Sequence, residues 1–477
     1  MDGRKEDRPG IELDALLDDR RLGLASIPLI VAAMLVLVSD GFDLAAMGYV
    51  APELAKLWGL SPGAFVPAFS AGIIGMMIGG PLLGVLGDRF GRKRLILAGL
   101  AVIGVTTLLT MAARSPADLV GLRLVTGIGL GGVIPNIAAL VAEISPRRIR
   151  GRLLVLITLG VPLGIALPGL VAAAWVPRFG WSVIMLAGGV LPLVVAAAGV
   201  FVLPESIKYL TARGDREAEV RQAARRLRPD LAIDETTVIR LPSRDAARRA
   251  GSFPALFAGD LAVVTPLLWF CQAANQMANF FALTWLPTLL QSAGASTAHA
   301  GTSASLFSLG GLVSGVALLL LLDRLGVSLV VLLFFTGVPL VAAMALGDLP
   351  ASAHSMVILG AGICVTGVQI GITALLGIFY PTAIRSTGSG WTQAAGRVGA
   401  LAAPIVGGLL LSLDIPMQSL PLAPALFMAL GAVACAVLAW RCLRRFGGLR
   451  PAEFTAQEPA EGSSVPAAAY APAPSSR

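Results

Sequence analysis

Charge is scarce in this chain. Asp, Glu, Lys and Arg make up 13% of its 477 residues, against about a quarter in a typical soluble domain. That shortage argues against a soluble globular protein. Only four cysteines are present, Cys271, Cys364, Cys435 and Cys442, and their spacing suggests neither a disulfide framework nor a metal site; they read as small apolar packing residues. Only two histidines occur, His299 and His354, both at expected helix ends or loops, so a histidine proton relay is not expected and proton carriage falls to carboxylates. There is no phosphate-binding loop, metal cluster or nucleophile constellation, so neither an enzyme nor an ATP-driven pump is indicated and no cofactor is expected. The first 22 residues are densely charged and lack the short apolar core and cleavage site of a signal peptide. The first apolar span is therefore expected to serve as the insertion signal.

What the chain has in abundance is apolar length. Hydrophobic residues make up 56% of it, in recurring runs of about 20, the length a helix needs to cross a hydrocarbon core of roughly 30 Å. Barrel strands would instead alternate in segments of about ten. Fifty-five glycines suit helices that approach closely in lipid. The runs define twelve spans, at 24–49, 64–86, 95–113, 117–143, 151–175, 181–203, 260–290, 300–322, 327–347, 353–379, 387–413 and 420–441. Of the 36 Lys and Arg, all but five lie on the side of the membrane shared by both termini. Lys56, Arg114 and Arg178 lie on the other side, and Arg123 and Arg397 inside spans. This asymmetry places both termini in the cytoplasm. It also accounts for the net charge of +8 without nucleic acid.

The longest polar stretch, 204–259, reads as a cytoplasmic linker with an amphipathic helix around 217–227. It separates two six-helix units, 24–203 and 260–441, flanked by a cytoplasmic segment (1–23) and a cytoplasmic tail (442–477). The tail's Pro/Ala/Ser-rich end, from about 451, is expected to be disordered. A single shift of 235 residues relates the units. It carries Pro52 onto Pro287, Asp88-Arg89-Phe90-Gly91 onto Asp323-Arg324-Leu325-Gly326, and Pro146 and Arg150 onto Pro381 and Arg385. One offset across three separate segments implies a duplicated six-helix unit with equivalent loops on the same side of the membrane.

Two parallel six-helix repeats joined by a cytoplasmic linker resemble the major facilitator fold, in which substrate binds near the midplane between the halves. The loop GVLGDRFGRKR (84–94) is similar to that family's loop motif, and Arg123-Leu-Val-Thr-Gly127-Ile-Gly129 is similar to its Arg-xxx-Gly-x-Gly element. The DGFDL segment (40–44), GLGGVIPNIAALVAEISPRRIRG (129–151), LPES (203–206) and FFALTWLPTLL (280–290) resemble the aromatic acid:proton symporter branch. The fold class implied is an all-α membrane protein of twelve transmembrane helices in two bundles.

Few ionisable side chains fall inside the spans: Asp40, Asp43, Arg123 and Arg397, with Glu143 near the cytoplasmic end of span four. A carboxylate at bilayer depth costs about 2.5–3.5 kcal/mol on insertion scales. Asp40 and Asp43 are three residues apart and share one helix face. They are candidates for proton coupling; alternatively they pair with Arg123 to hold helices together. Their repeat counterparts are Asn275 and Ala278, which favours Asp43, since a polar residue at the Asp40 position in both halves suits a structural role. Arg397 suits an organic-acid substrate through two parallel hydrogen bonds, or else an ion pair or helix cap. Arg123 is a second candidate contact or the partner of an aspartate.

In span seven, Gln272 and Asn275 offer amides to a hydroxyl, while Phe281 and Trp285 offer faces to a flat ring. Trp285 is equally readable as an interface anchor, and Phe280 is assigned to core or lipid. Trp391 and Gln393 of span eleven and Asn136 of span four complete the binding candidates. Tyr49 is either a gate or an interface tyrosine. Asp88, Arg89, Gly91, Arg92 and Lys93, with Glu143 and the second-half counterparts Asp323 and Arg324, are read as conformational. A carboxylate there can neutralise a helix N-terminus across the halves and latch the cytoplasmic side.

The resemblance implies a proton-coupled secondary transporter that imports a small aromatic carboxylate, benzoate- or hydroxybenzoate-like, by alternating access. It is expected to work as a monomer in a bacterial inner membrane; the use of 32 Arg against 4 Lys, with the Ala/Gly richness, fits a GC-rich bacterial genome. The span-five text GVPLGIALPG lacks the Gly-Pro pattern of drug antiporters, which argues against efflux. Alternatives are a symporter or exporter of another organic anion, or a non-transporting membrane sensor of the same fold.

Overall fold

The computed structural model describes residues 10–12, 26–206, 209–211, 219–222, 225, 238–240, 253–344, 349–381 and 384–446. The disordered end expected from about 451, most of the N-terminal segment and most of the helix expected around 217–227 lie outside them.

Among the described residues thirteen long helices carry the fold: α1 (Ile27–Trp58), α2 (Val66–Phe90), α3 (Arg92–Leu109), α4 (Pro116–Ile144), α5 (Arg147–Thr158), α6 (Gly160–Phe179), α7 (Ser182–Val202), α8 (Leu261–Ser292), α9 (Thr297–Leu325), α10 (Val327–Ala343), α11 (Ala351–Phe379), α12 (Arg385–Ser412) and α13 (Leu422–Phe446). Taking α5 and α6 together, each of the twelve expected spans has its helix. Ten are long and apolar enough to cross a membrane by composition. α10 is a shorter apolar helix, and α8 has ample length at 32 residues. A three-residue strand, β1 (Gly10–Glu12), pairs in parallel with β2 (Val238–Arg240), a small ladder the all-helical reading did not include.

Local chemistry sets the helix ends. Ser115 opens α4 with a capping box: the Asp118 N–H donates to Ser115 Oγ at 3.3 Å, and the Ser115 N–H donates to Asp118 Oδ2 at 3.0 Å. α1 continues past the expected end at 49 to Trp58, where Gly59 closes it in the left-handed region at φ 65°. The outward surface is apolar in keeping with a lipid environment: Val85, Phe179 and Phe201 are 69%, 67% and 88% exposed.

The duplication is visible in the packing. α2 meets α4 where Gly75 lies against the backbone of Leu124, Gly127 and Ile128. α9 meets α11 where Gly310 lies against Leu359, Gly362 and Ile363, the same set shifted by the repeat offset. In both seams a Cβ would strike the facing backbone, so only glycine allows the approach. Gly164 of α6 lies against Val38 of α1, and its counterpart Gly399 of α12 lies against Ala273 of α8.

The halves touch along three seams. α6 packs on α9, where Ser305 Oγ donates to the Ala166 carbonyl at 2.8 Å. α2 packs on α12, and α1 on α8. In the α1/α8 seam, Gly48 abuts the Leu283 carbonyl, and Lys56 Nζ donates to Gln291 Oε1 at 2.8 Å. Both pairs are separated by the repeat offset of 235 residues. Residues that touch their own repeat equivalents lie at the pseudo-two-fold axis, so α1 and α8 cross there near their C-terminal ends.

Candidate functional site

Two acidic residues on one face of α1 meet different surroundings. Asp43 points to α4, where Arg123 Nη1 donates to Asp43 Oδ2 at 3.0 Å and to Oδ1 at 3.3 Å. The Thr107 hydroxyl donates to Asp43 Oδ1 at 2.7 Å, and Arg123 Nη2 reaches Thr110 Oγ1 at 3.4 Å. Both charges are buried, so the pair needs these extra hydrogen bonds to offset desolvation. Asp40 is fully buried, and neither of its carboxylate oxygens has a hydrogen-bond partner. The sequence argument that favours Asp43 through its apolar repeat partner does not anticipate this difference.

Across the seam, Arg397 of α12 has no ion-pair partner among the described residues; its one polar contact is Nη1 to Met76 Sδ of α2, at 3.6 Å. Its charge interacts electrostatically with that of Asp40 without an ion pair. Arg397 on α12 and Asp40 on α1 thus each stand without an ion-pair partner among the described residues.

A cavity of about 50 Å³ is lined among others by Asp43, Phe69, Met76, Arg123, Phe280 and Thr284, and Arg397 touches it through Met76. That volume holds a few waters. Helices α1, α2, α4 and α8 all contribute to its wall. Phe280, assigned from sequence to core or lipid, is buried and part of this lining, while Phe281 and Trp285 pack in a buried cluster that also takes in Ile73 of α2, with the Trp285 ring 6.5 Å from that of the lining residue Phe69. The Trp285 Nε1–H donates to the Ala403 carbonyl at 3.4 Å, so Trp285 is a core residue and not an interface anchor. Tyr49 is buried in the α6/α9 seam, hydrogen-bonded to Ser305.

Gln272 Nε2 donates to Gln393 Oε1 at 2.9 Å, and Asn275 Nδ2 to Gln369 Oε1 at 3.2 Å. Two other binding candidates sit elsewhere. Asn136 donates to the carbonyls of Leu83 and Gly132, tying α4 to α2. Trp391 stacks on Trp269 at 6.0 Å beside Phe253.

Residues 33–404 match the sequence profile of the Major Facilitator Superfamily. The chain belongs to that superfamily. This facilitator is 33% identical over 435 residues to the gallate transporter of Pseudomonas putida, covering 90% of this chain and 95% of that one. It is 33% identical over 428 residues to the 4-hydroxybenzoate transporter PcaK of Pseudomonas aeruginosa, covering 89% and 95%. In structure it is similar to a bacterial homologue of the lysosomal transporter Spinster, with TM-score 0.67, 14% identity and coverage of 89% and 99%. It is also similar to the xylose transporter XylE of Escherichia coli, with TM-score 0.65, 17% identity and coverage of 88% and 98%. The fold is therefore the major facilitator fold, and the protein is a multi-pass membrane transporter rather than an enzyme.

The loop at residues 84–94 and the LPES segment form one cluster at the end of the bundle opposite Lys56. Arg92 bridges Glu143 at 2.9 Å and Asp88 at 3.3 Å. Ser206 donates its hydroxyl to Glu143. Glu205 accepts from the backbone N–H of Lys93 at 3.1 Å, capping α3, while Lys93 Nζ donates to the Val200 carbonyl at 2.7 Å. Gly91, at φ 101°, leaves the space that the Glu205 carboxylate fills. Arg89 lies against the Phe90 ring at 5.4 Å. Asp88 is largely exposed, and among the described residues it pairs with Arg92 of its own half. Asp323 and Arg324 occupy the last turn of α9, and only their backbone is described.

Sequence reasoning missed Phe69, Thr107, Thr110, Thr284 and Gln369, and gave Glu205, quoted within LPES, no role of its own. Gln369 carried a visible signal as well, an amide in the middle of an apolar span.

Proposed function

We propose that this transporter is a proton-coupled symporter of small aromatic carboxylates, working by alternating access as a monomer in a bacterial inner membrane with both termini in the cytoplasm. The observations that carry the reading are the Arg397 guanidinium of α12, which meets Met76 of the first half with no ion-pair partner among the described residues, and the buried, unpartnered Asp40 carboxylate of α1. A guanidinium without a carboxylate of its own, at membrane depth, is suited to take one from the substrate. Burying an unpaired carboxylate charge is costly, so a proton arriving at Asp40 relieves that cost as the acid binds at Arg397. Asp43 is already paired, and its ion pair with Arg123 is proposed to hold α1 and α4 in register around the proton site.

The relatives support the substrate class. Besides the gallate and 4-hydroxybenzoate transporters, a benzoate transport protein of Acinetobacter baylyi is 29% identical over 412 residues. The positive residues on the side of both termini support the orientation, which makes the Lys56 end the outer one. The contacts of Lys56 and Glu53 with Gln291 and Thr297 close the halves at that end. The proton gradient would drive accumulation without a resident cofactor.

The test is accumulation of labelled 4-hydroxybenzoate in proteoliposomes under an imposed proton gradient. We expect uphill uptake that a protonophore collapses, and Asp40→Asn protein that exchanges labelled for unlabelled acid but no longer accumulates it. Uptake insensitive to the protonophore overturns proton coupling. Binding without any translocation instead identifies a sensor.

A further inference from the structure

Four amides meet in the second half between α8, α11 and α12. Gln272 and Asn275 are completely buried, and each donates one N–H to an amide on a neighbouring helix, Gln393 and Gln369 respectively. The carbonyl oxygens left over, Gln272 Oε1 and Asn275 Oδ1, are buried and accept no hydrogen bond. A buried polar atom without a partner is unusual and calls for an occupant. Gln393 is exposed and Gln369 partly so, and neither amide nitrogen has a partner among the described residues. The cluster therefore offers two vacant acceptors inside and two vacant donors at its open side.

A carboxylate, which only accepts, suits this set poorly. A hydroxyl both donates and accepts, so it can fill one vacant acceptor and take a hydrogen bond from a vacant donor at the same time. The cluster is also placed to work together with Arg397. Gln393 and Arg397 are four residues apart on α12 and share one face, about 6 Å apart along the axis. That is the order of the length of a six-membered ring with a carboxylate at one end and a hydroxyl at the other. The Arg397 end of this face looks toward the first half, where it meets Met76 of the cavity wall.

We infer that Gln272, Asn275, Gln369 and Gln393 form the selectivity element of the site, which binds a ring hydroxyl of the acid whose carboxylate Arg397 holds. The inference rests on that reading of Arg397 and adds what the far end of the ring must carry. The amides favour hydroxylated acids over those with hydrogen or methyl in the same place.

The experiment is equilibrium binding of 4-hydroxybenzoate, 3-hydroxybenzoate, benzoate and 4-methylbenzoate to the full-length protein in lipid nanodiscs. One hydroxybenzoate is expected to bind about 10-fold more tightly than benzoate and 4-methylbenzoate, the order that one hydrogen bond supplies. In Gln272→Leu, Asn275→Leu and the more exposed Gln393→Leu, that ratio should fall toward one. If the acids bind but the hydroxyl brings no advantage in the wild type, the selectivity element is refuted while the Arg397 reading stands. A wild-type preference that all three substitutions leave unmoved equally refutes it. If none of the four acids binds, the carboxylate reading falls and this inference with it.

Discussion

Asp40 and Asp43 differ by one turn of helix, yet they should respond differently to the same substitution. Asp43→Asn leaves the buried Arg123 guanidinium without its counter-charge, and breaking such a pair costs about 3–5 kcal/mol. Asp40→Asn removes no hydrogen bond and no ion pair, because none is made. Thermal unfolding of both variants in detergent should show a clear loss for Asp43→Asn and little or none for Asp40→Asn; equal losses would refute the assignment. The presence of these charges at membrane depth was legible in the sequence, since an apolar run interrupted by two aspartates needs no structure to be seen. Their division of labour was not. It depends on where Thr107, Thr110 and Arg123 arrive from other helices, and local pattern carries no such information.

At the scale of elements, glycine determines which helices pair. Gly75 and Gly310 hold equivalent places in the α2/α4 and α9/α11 seams, each against a facing backbone that cannot yield as a side chain would. Overpacking costs about 1–3 kcal/mol even where side chains can move. Gly75→Val and Gly310→Val should therefore each lower the yield of folded protein and its melting temperature. Gly84→Val, on the same helix as Gly75 but facing open space, should be tolerated. Comparable damage from all three would show that the seams are not specific contacts. The twelve spans were legible from length and hydropathy, while the misplacement of Asn136 has a plain cause. An amide in an apolar helix looks the same from sequence whether it faces substrate or, as here, the carbonyls of Leu83 and Gly132.

For the whole molecule, the contacts at the pseudo-two-fold axis imply a conformational clamp. Lys56 joins Gln291, and Thr297 donates to Glu53 at 3.1 Å, while Arg92, Asp88 and Glu143 at the opposite end pair within the first half. The proposed alternating access requires the first set to separate. Cysteines at Lys56 and Gln291 joined by a short bifunctional thiol reagent should abolish accumulation while leaving binding of the acid intact, and a cleavable reagent should allow recovery. Continued transport after full cross-linking would mean that this end does not open.

The sequence by itself determined the class, the twelve spans, the duplication with its offset of 235 residues and the short roster of buried charges. Each follows from local composition or from comparing the chain with itself. The tertiary structure alone decided that Asp43 is paired and Asp40 is not, that Arg397 stands free, and that two buried amides keep vacant acceptors. Those properties arise from distances between residues far apart in the chain. A hydropathy pattern fixes how deep a side chain lies along its own helix and says nothing of which neighbour it meets there.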